Sequence, residues 1–263
     1  MDADLIVIGG GSAGVRAARV AAEHGAKVVI AEADRWGGTC VIRGCIPKKL
    51  MVYAAALGGD IEDARAYGWQ MGEAVNDMAA LAAAVGAEVE RLSQAYAGRL
   101  ERAGCRLVRG RARVVGPHEV EVDGARVSAG VILVATGASP ERLEGPGCDV
   151  AIDSDDVFRM RERPARLAVV GGGYIAVELA HVFRGLGSAV HLIHRGAQML
   201  RGFDADVRAA VTEGLGARGI ALHLEQTLAA AERTGQPVRP EPFGTAQDRL
   251  RRAEGPAESK DGP

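Results

Sequence analysis

Apolar residues first gather in DLIVI, residues 4–8, a short unbroken run of the kind that forms a strand buried on both faces. GGGSAG follows at once, then the helical run VRAARVAAEHG and a second apolar run, KVVIAE, so the pattern predicts strand, glycine turn, helix, strand. Between about 74 and 103, Val85, Val89, Leu92, Tyr96 and Leu100 recur at helical spacing and predict an amphipathic helix. Short β-type runs come next, RLVRGRARVV, HEVEVDG and ARVSAGVILVATG, with turn glycines between them. The last is an apolar strand that delivers Thr136 and Gly137 to a ligand edge. After Pro164 the order repeats, in RLAVVGGGYIAVELAHVFRGLGSAVHLIHR. From Gly235 to Pro263 no apolar period survives; these 29 residues hold five of the ten prolines and a charge-rich run, and the composition predicts a disordered tail.

The two glycine turns carry the first chemistry. Gly9, Gly11 and Gly14 have the G-x-G-x-x-G spacing between a strand and a helix: a tight turn, close approach of backbone to a pyrophosphate, and close packing of helix on strand. Glu32 ends the second strand, 18 residues after Gly14, where a carboxylate accepts hydrogen bonds from a ribose. In the repeat, Gly171, Gly173 and Ala176 take the three motif positions, so the chain has two dinucleotide sites and, by implication, two cofactors. The acid position maps by spacing to His194, followed by Arg195 and, six residues on, Arg201. A cationic edge favours a 2′-phosphate over a bare ribose hydroxyl, so the second site reads as NADP rather than NAD; the alternative is a pair of solvated surface arginines.

Composition narrows the rest. The 36 glycines are many for a chain of 263 residues and must serve backbone geometry. A formal net charge of −2 provides no overall field for nucleic acid or an anionic membrane. The apolar run after the acidic start is four residues, Leu5 to Ile8, too short for a signal-peptide core or a membrane span, which points to a cytoplasmic location. Four cysteines are too sparse for a secreted disulfide framework. Cys40 and Cys45, in GGTCVIRGCIPKK, stand close together, and no CxxC, second cysteine pair or paired histidine lies near to complete a zinc site, so redox work is the reading and no metal is expected. Cys45 opens a helix whose N–H groups, with Lys48 close by, stabilise a thiolate, and Cys40 is expected further out, free to meet a substrate.

GGTCVIRGCIPKK resembles the redox segment of the FAD-carrying pyridine nucleotide–disulfide oxidoreductases, and its IRG and PKK resemble the glutathione reductases among them. The resemblance implies FAD at Gly9, Gly11, Ser12, Gly14, Glu32, Thr39, Lys48, Thr136 and Gly137. It implies NADPH at Gly171, Gly173, Tyr174, Ala176, Glu178, Arg195 and Arg201. Electrons would pass from nicotinamide through flavin to a Cys40–Cys45 disulfide, with Cys45 facing the flavin and Cys40 attacking the substrate disulfide. Tyr174 matches a gate over the flavin, although a core aromatic at a helix start explains it as well, and Glu178 matches the acid that pairs with Lys48. Ser12, Arg19 and Tyr96 resemble residues lining a glutathione pocket. Arg16 and Arg19 suit glutathione disulfide, a dianion; as a solvated helix face they need no substrate.

The resemblance implies an α/β fold of two Rossmann-like, three-layer FAD- and NAD(P)-binding domains, the NADPH domain incomplete: 1–152 for FAD and the redox pair, 153–234 for part of the NADPH domain, and 235–263 as a tail foreign to the family. It runs from about residue 3 to Gly235 and lacks the family's dimer-forming domain and its His-Glu pair; none of the six histidines stands in the C-terminal His-Pro context, so the expectation is a truncated chain of impaired activity. Mercuric reductase and lipoamide dehydrogenase are the alternatives within the superfamily, disfavoured by Lys48, Tyr96, Arg195 and Arg201. An inactive nucleotide-binding fragment is the alternative outside catalysis.

Overall fold

The computed structural model describes residues 1–232, and within them the chain forms two compact units: Met1–Lys49 with Ala82–Glu141, and Leu50–Leu81 with the described residues from Arg142 on. The expectation of a disordered 235–263 tail lies outside the described residues.

In the first unit, β1 (Ala3–Ile8) is the central strand its unbroken apolar run demands, flanked in parallel by β2 (Val28–Glu32) and β6 (Ala125–Val134). A parallel sheet strand has helix or sheet on both faces, so every side chain of such a run finds apolar company. On one face Val7, Val28 and Ile30 pack with Val15 and Ala18 of α1 (Ser12–Glu23), with Leu100, and with Trp36. On the other, Ile6, Ile8, Val29 and Ala31 pack with Val120, Val122, Val127 and Ala129, from the antiparallel meander of β4 (Ala112–Gly116), β5 (Glu119–Val122) and the start of β6. Helices, parallel sheet and meander make three layers, as the fold class requires. The sheet order is β3-β2-β1-β6-β5-β4, with β3 (Arg106–Arg109) parallel to β2.

The run RLVRGRARVV divides at Gly110, whose φ of +143° turns the chain out of the parallel sheet and into the meander. A side chain there would put its Cβ 2.4 Å from a carboxylate oxygen of Asp123. Between β2 and β3 run three helices, α2 (Gly38–Arg43), α3 (Cys45–Ala66) and α4 (Met78–Arg102). The expected helix of 74–103 begins at Met78 because Asp77 caps it, its carboxylate accepting the N–H groups of Ala79 and Ala80. Its periodic positions face inward as expected: Val85, Val89 and Leu100 are buried, Leu92 and Tyr96 half-buried.

The second unit repeats the first in outline. Its parallel sheet is β7-β8-β9, built from β7 (Arg166–Val170), β8 (Ala189–His194) and β9 (Ala221–Leu224). After a four-residue α5 (Ser154–Val157), capped by Asp153, come α6 (Tyr174–Gly185) and α7 (Ala205–Ala217) as the crossover helices. Ala180, Val182 and Phe183 of α6 and Val190 and Leu192 of β8 are all buried. Gly185 lets α6 meet α3: a Cβ there would lie 2.7 Å from that of Ala55. Among the described residues β7 pairs on one side only, where its counterpart β1 is paired on both.

Candidate functional site

The first glycine turn leaves β1 at Gly9, φ +109°, and enters α1 with Gly11 as its N-cap. Gly14 is fixed by the protein's own packing, since a Cβ there would fall 1.8 Å from the carbonyl oxygen of Gly9. Gly11 is different. Its φ of −82° and ψ of −171° are ordinary extended backbone, and a Cβ would meet only Gly38 Cα at 3.6 Å, normal contact. Neither conformation nor packing requires glycine there. Gly173, the matching N-cap of α6, repeats this: φ −82°, ψ 175°, and nothing within 4 Å of a built Cβ. A residue that the fold does not need, kept bare at a helix start, is what close approach of a pyrophosphate calls for. Neither helix has a side-chain cap or an acidic residue in its first turn, so its leading N–H groups and partial positive charge face outward without a competing carboxylate. The two turns therefore fit dinucleotides.

At the first turn, Glu32 Oε2 accepts the Gly10 N–H at 2.6 Å and Oε1 accepts the Asp34 N–H at 2.7 Å, which holds the carboxylate at the rim where a ribose would lie. Thr136 and Gly137 follow β6, and Ala135, just before them, donates its N–H to Ile8 O at 2.8 Å and closes on Gly9. At the second turn, Gly171 has φ +143°, and Ala176 stands buried at the third motif position. His194 takes the place of Glu32: its ring lies against Gly172 and Gly196, at both of which a Cβ would clash with it, at 2.4 and 2.7 Å. Arg195 and Arg201 are exposed, and among the described residues neither guanidinium has a carboxylate partner. Tyr174 is 59% exposed at the first position of α6, so it is not a core aromatic; Glu178 sits one turn on, half-buried.

The thiols lie on either side of Gly44, Cys40 in α2 and Cys45 at the start of α3. Pro47 falls in the first turn of α3, where its missing N–H costs nothing, and is fully buried. The structure holds both as free thiols. Burial pushes the Cys40 thiol up to about 11, helped by its side-chain hydrogen bond to Cys45 and by like-charge repulsion between the two sulfurs; the Cys45 backbone N–H and the Lys48 ammonium pull the other way and are outweighed. The order of exposure is the reverse of the one expected: Cys45 is exposed and Cys40 half-buried, because Cys40 sits within α2 beside buried Val41 and Ile42 while Cys45 opens its helix.

Of the candidate substrate residues, Ser12 and Arg16 are exposed on α1, four positions apart and so on one face. Arg19 is committed to an ion pair with Glu23, one turn along the same helix. Tyr96 lies half-buried on α4, packed on the helical face of the core, with the Arg99 guanidinium 5.9 Å from its ring centre. Thr39 is exposed on α2. Two residues with structural parts at this site had no place in the sequence reading. Gly10 supplies the N–H that holds Glu32 and leaves room for Trp36, and Gly38, φ +61°, lies back to back with Gly11, where a Cβ would meet Gly11 Cα at 2.4 Å. The signal for Gly38 was the doubled glycine in WGGTC.

A family model described as pyridine nucleotide-disulphide oxidoreductase matches residues 3–250. Among curated proteins, the glutathione reductase of Burkholderia cepacia is 50% identical over 232 residues, 88% of this chain and 52% of that protein. The glutathione reductase of Nostoc sp. (strain PCC 7120 / SAG 25.82 / UTEX 2576) is 44% identical over 238 residues, 90% of this chain and 52% of that protein. The chloroplastic/mitochondrial glutathione reductase of Pisum sativum is 42% identical, covering 86% and 43%. Among solved structures, the HOCl-induced flavoprotein disulfide reductase RclA from Escherichia coli superposes with a TM-score of 0.75 at 25% identity, over 86% of this chain and 50% of that one. The chain spans about half the length of the curated relatives it matches.

Proposed function

Because the chain belongs to the pyridine nucleotide-disulphide oxidoreductase family, whose glutathione reductases are FAD-dependent with NADPH as electron donor, we propose that it binds both cofactors and uses Cys40 and Cys45 to reduce glutathione disulfide. The observation that carries the proposal is the pair of thiols in hydrogen-bond contact at a helix start, joined through Gly38 and Gly11 to a turn that fits a dinucleotide. When bound, NADPH and FAD supply two electrons to a disulfide. FAD would be held within the segment 1–152, on Gly9, Gly11, Ser12, Gly14, Glu32, Thr39, Lys48, Thr136 and Gly137. NADPH would be held within 153–234, on Gly171, Gly173, Tyr174, Ala176, Glu178, Arg195 and Arg201. The location is the cytoplasm.

The chain's own part is thiol–disulfide exchange. Cys40 loses its proton and its sulfur attacks one sulfur of glutathione disulfide, forming a Cys40–glutathione mixed disulfide and releasing one glutathione thiolate. Cys45 passes its proton to the glutathione thiolate just released, then attacks Cys40 Sγ, restores the intramolecular disulfide and releases the second thiolate. The partner the structure gives the Cys40 proton is the Cys45 sulfur. Arg16, and Arg19 once free of its weak surface pair with Glu23, face the substrate carboxylates, with Ser12 and Tyr96 beside them.

Anaerobic NADPH added to the FAD-loaded chain should expose two further thiols, which glutathione disulfide, and not oxidised lipoamide, removes. Thiols that NADPH leaves unchanged sink the reading. They favour the second one, nucleotide binding without turnover.

A further inference from the structure

Two of the six histidines meet on one face of the second unit's sheet. His191 stands in β8 and His223 in β9, and the parallel register sets His191 opposite Ala221 and His223 opposite Ile193, so the two are diagonal neighbours on that face. Val190 and Leu192, at the alternate positions of β8, are buried, whereas His191 is exposed and His223 half-buried. The rings meet through Nδ1 of His191 and Nε2 of His223, 3.0 Å apart, with centroids separated by 5.3 Å and planes 22° apart. One of these nitrogens carries a proton and the other accepts it. On β7, Ala168 is the register partner of His191, so the residues in register with the pair are small or apolar and none is a carboxylate.

We propose that His191 and His223 form a bidentate site for a borderline divalent cation of the Cu²⁺, Ni²⁺ and Zn²⁺ class, which ties β9 to β8. The site stands apart from the nucleotide and disulfide readings. Ligand nitrogens about 2.1 Å from one metal and at right angles to each other lie about 3.0 Å apart, the separation the two imidazoles already have. The cation takes the place of the proton between the rings. That proton moves to the far nitrogen of its own ring, so both facing nitrogens offer a lone pair and the charge of the pair does not change. Each ring turns about its Cβ–Cγ bond to aim that lone pair, while the strands keep their register. Among the described residues no group of three or more histidines, cysteines and carboxylates could hold a metal ion, so water fills the remaining positions. Selection then falls to ligand type: imidazole prefers Cu²⁺ to Ni²⁺ and to Zn²⁺, and leaves the oxygen-seeking Mg²⁺ and Ca²⁺ in solution.

The probe is Ni²⁺, titrated calorimetrically into the full chain at about pH 8, with the accessible thiols blocked by N-ethylmaleimide so that Cys40 and Cys45 do not chelate it. Wild type should bind one equivalent with no competition from Mg²⁺, and H191Q and H223Q should each bind at least about tenfold more weakly, since either change leaves a single imidazole. Urea unfolding without metal checks that both variants fold, and Ni²⁺ should raise the midpoint of wild type alone. If one variant keeps the wild-type affinity, a lone imidazole holds the metal and the chelate is rejected. If both keep it, the binding is adventitious and the proposal fails. Should either variant fail to fold, nitrogen NMR of wild type with Zn²⁺ decides. His191 Nδ1 and His223 Nε2 must both take the shift of a metal-bound nitrogen, while His24 and His118, whose Nδ1 atoms face backbone carbonyls, stay unmoved; a shift at only one of the pair, or at neither, overturns the proposal.

Discussion

The two glycine turns share a plan and differ, among other places, at the third motif position and at the rim. The first has Gly14 where the second has Ala176, and Glu32 where the second has His194. The N-cap glycines, Gly11 and Gly173, are alike in conformation and alike in not being needed by the fold. What differs is thus the closeness of helix to strand and the charge at the rim; what is common is the bare N-cap. The common feature fits the close approach of a pyrophosphate, and on the proposed reading the variable ones tell the two cofactors apart.

The comparison breaks most sharply at the third position. Gly14→Ala should destabilise the chain by about 4 kcal/mol or prevent folding, because its Cβ has no room beside Gly9 O, whereas Ala176→Gly should cost about 1 kcal/mol; urea unfolding measures both. Gly11→Ala and Gly173→Ala should each leave the unfolding midpoint within about 1 kcal/mol of wild type and yet weaken FAD and NADPH binding respectively by more than about tenfold. Loss of stability in either variant would mean the glycine serves the fold. Glu32→Gln, which removes the charge from the bond to Gly10, should weaken FAD about tenfold and leave NADPH untouched, as flavin fluorescence and nucleotide titration can show.

The thiols belong to the first unit alone, and their titration sharpens the contrast. With its folded value raised to about 11, Cys40 stays protonated through neutral pH and reacts with iodoacetamide only as pH climbs toward that value. Removing the partner in C45A takes away the side-chain hydrogen bond and the like charge, leaving burial as the raising cause, so the Cys40 midpoint should fall and its alkylation near pH 8 should rise about tenfold, as peptide mass spectrometry reads it. An unchanged rate would place the whole shift on burial. The smallest effect is at the α1 surface, where Glu23→Gln should cost no more than about 0.5 kcal/mol, since the Arg19 pair is solvent-exposed.

Much of this was legible in the chain. DLIVI is apolar without a break because β1 is covered on both faces, and the strand–turn–helix–strand order needs only local signals. RLVRGRARVV was not divisible by pattern: β3 and β4 carry the same kinds of residue, and only the backbone of Gly110 assigns one to the parallel sheet and the other to the meander. The site was legible where spacing encodes it, at Gly9, Gly11, Gly14, Glu32 and the cysteines. It was illegible where distant segments meet, as at Gly38 on Gly11 or Trp36 on Gly10. Sequence spacing also set Cys40 outermost of the pair, an order that the burial of its neighbours in α2 reverses.

Gly11 and Gly38 touch backbone to backbone, with no side chain between them. The span from the dinucleotide turn to the first thiol is therefore a fixed length, set by two main chains at van der Waals distance, as a gauge block sets a gap. An engineer who recolours the rim at Glu32 to admit another cofactor would leave that gap as it was, while a single methyl group at residue 38 would alter it for every cofactor at once.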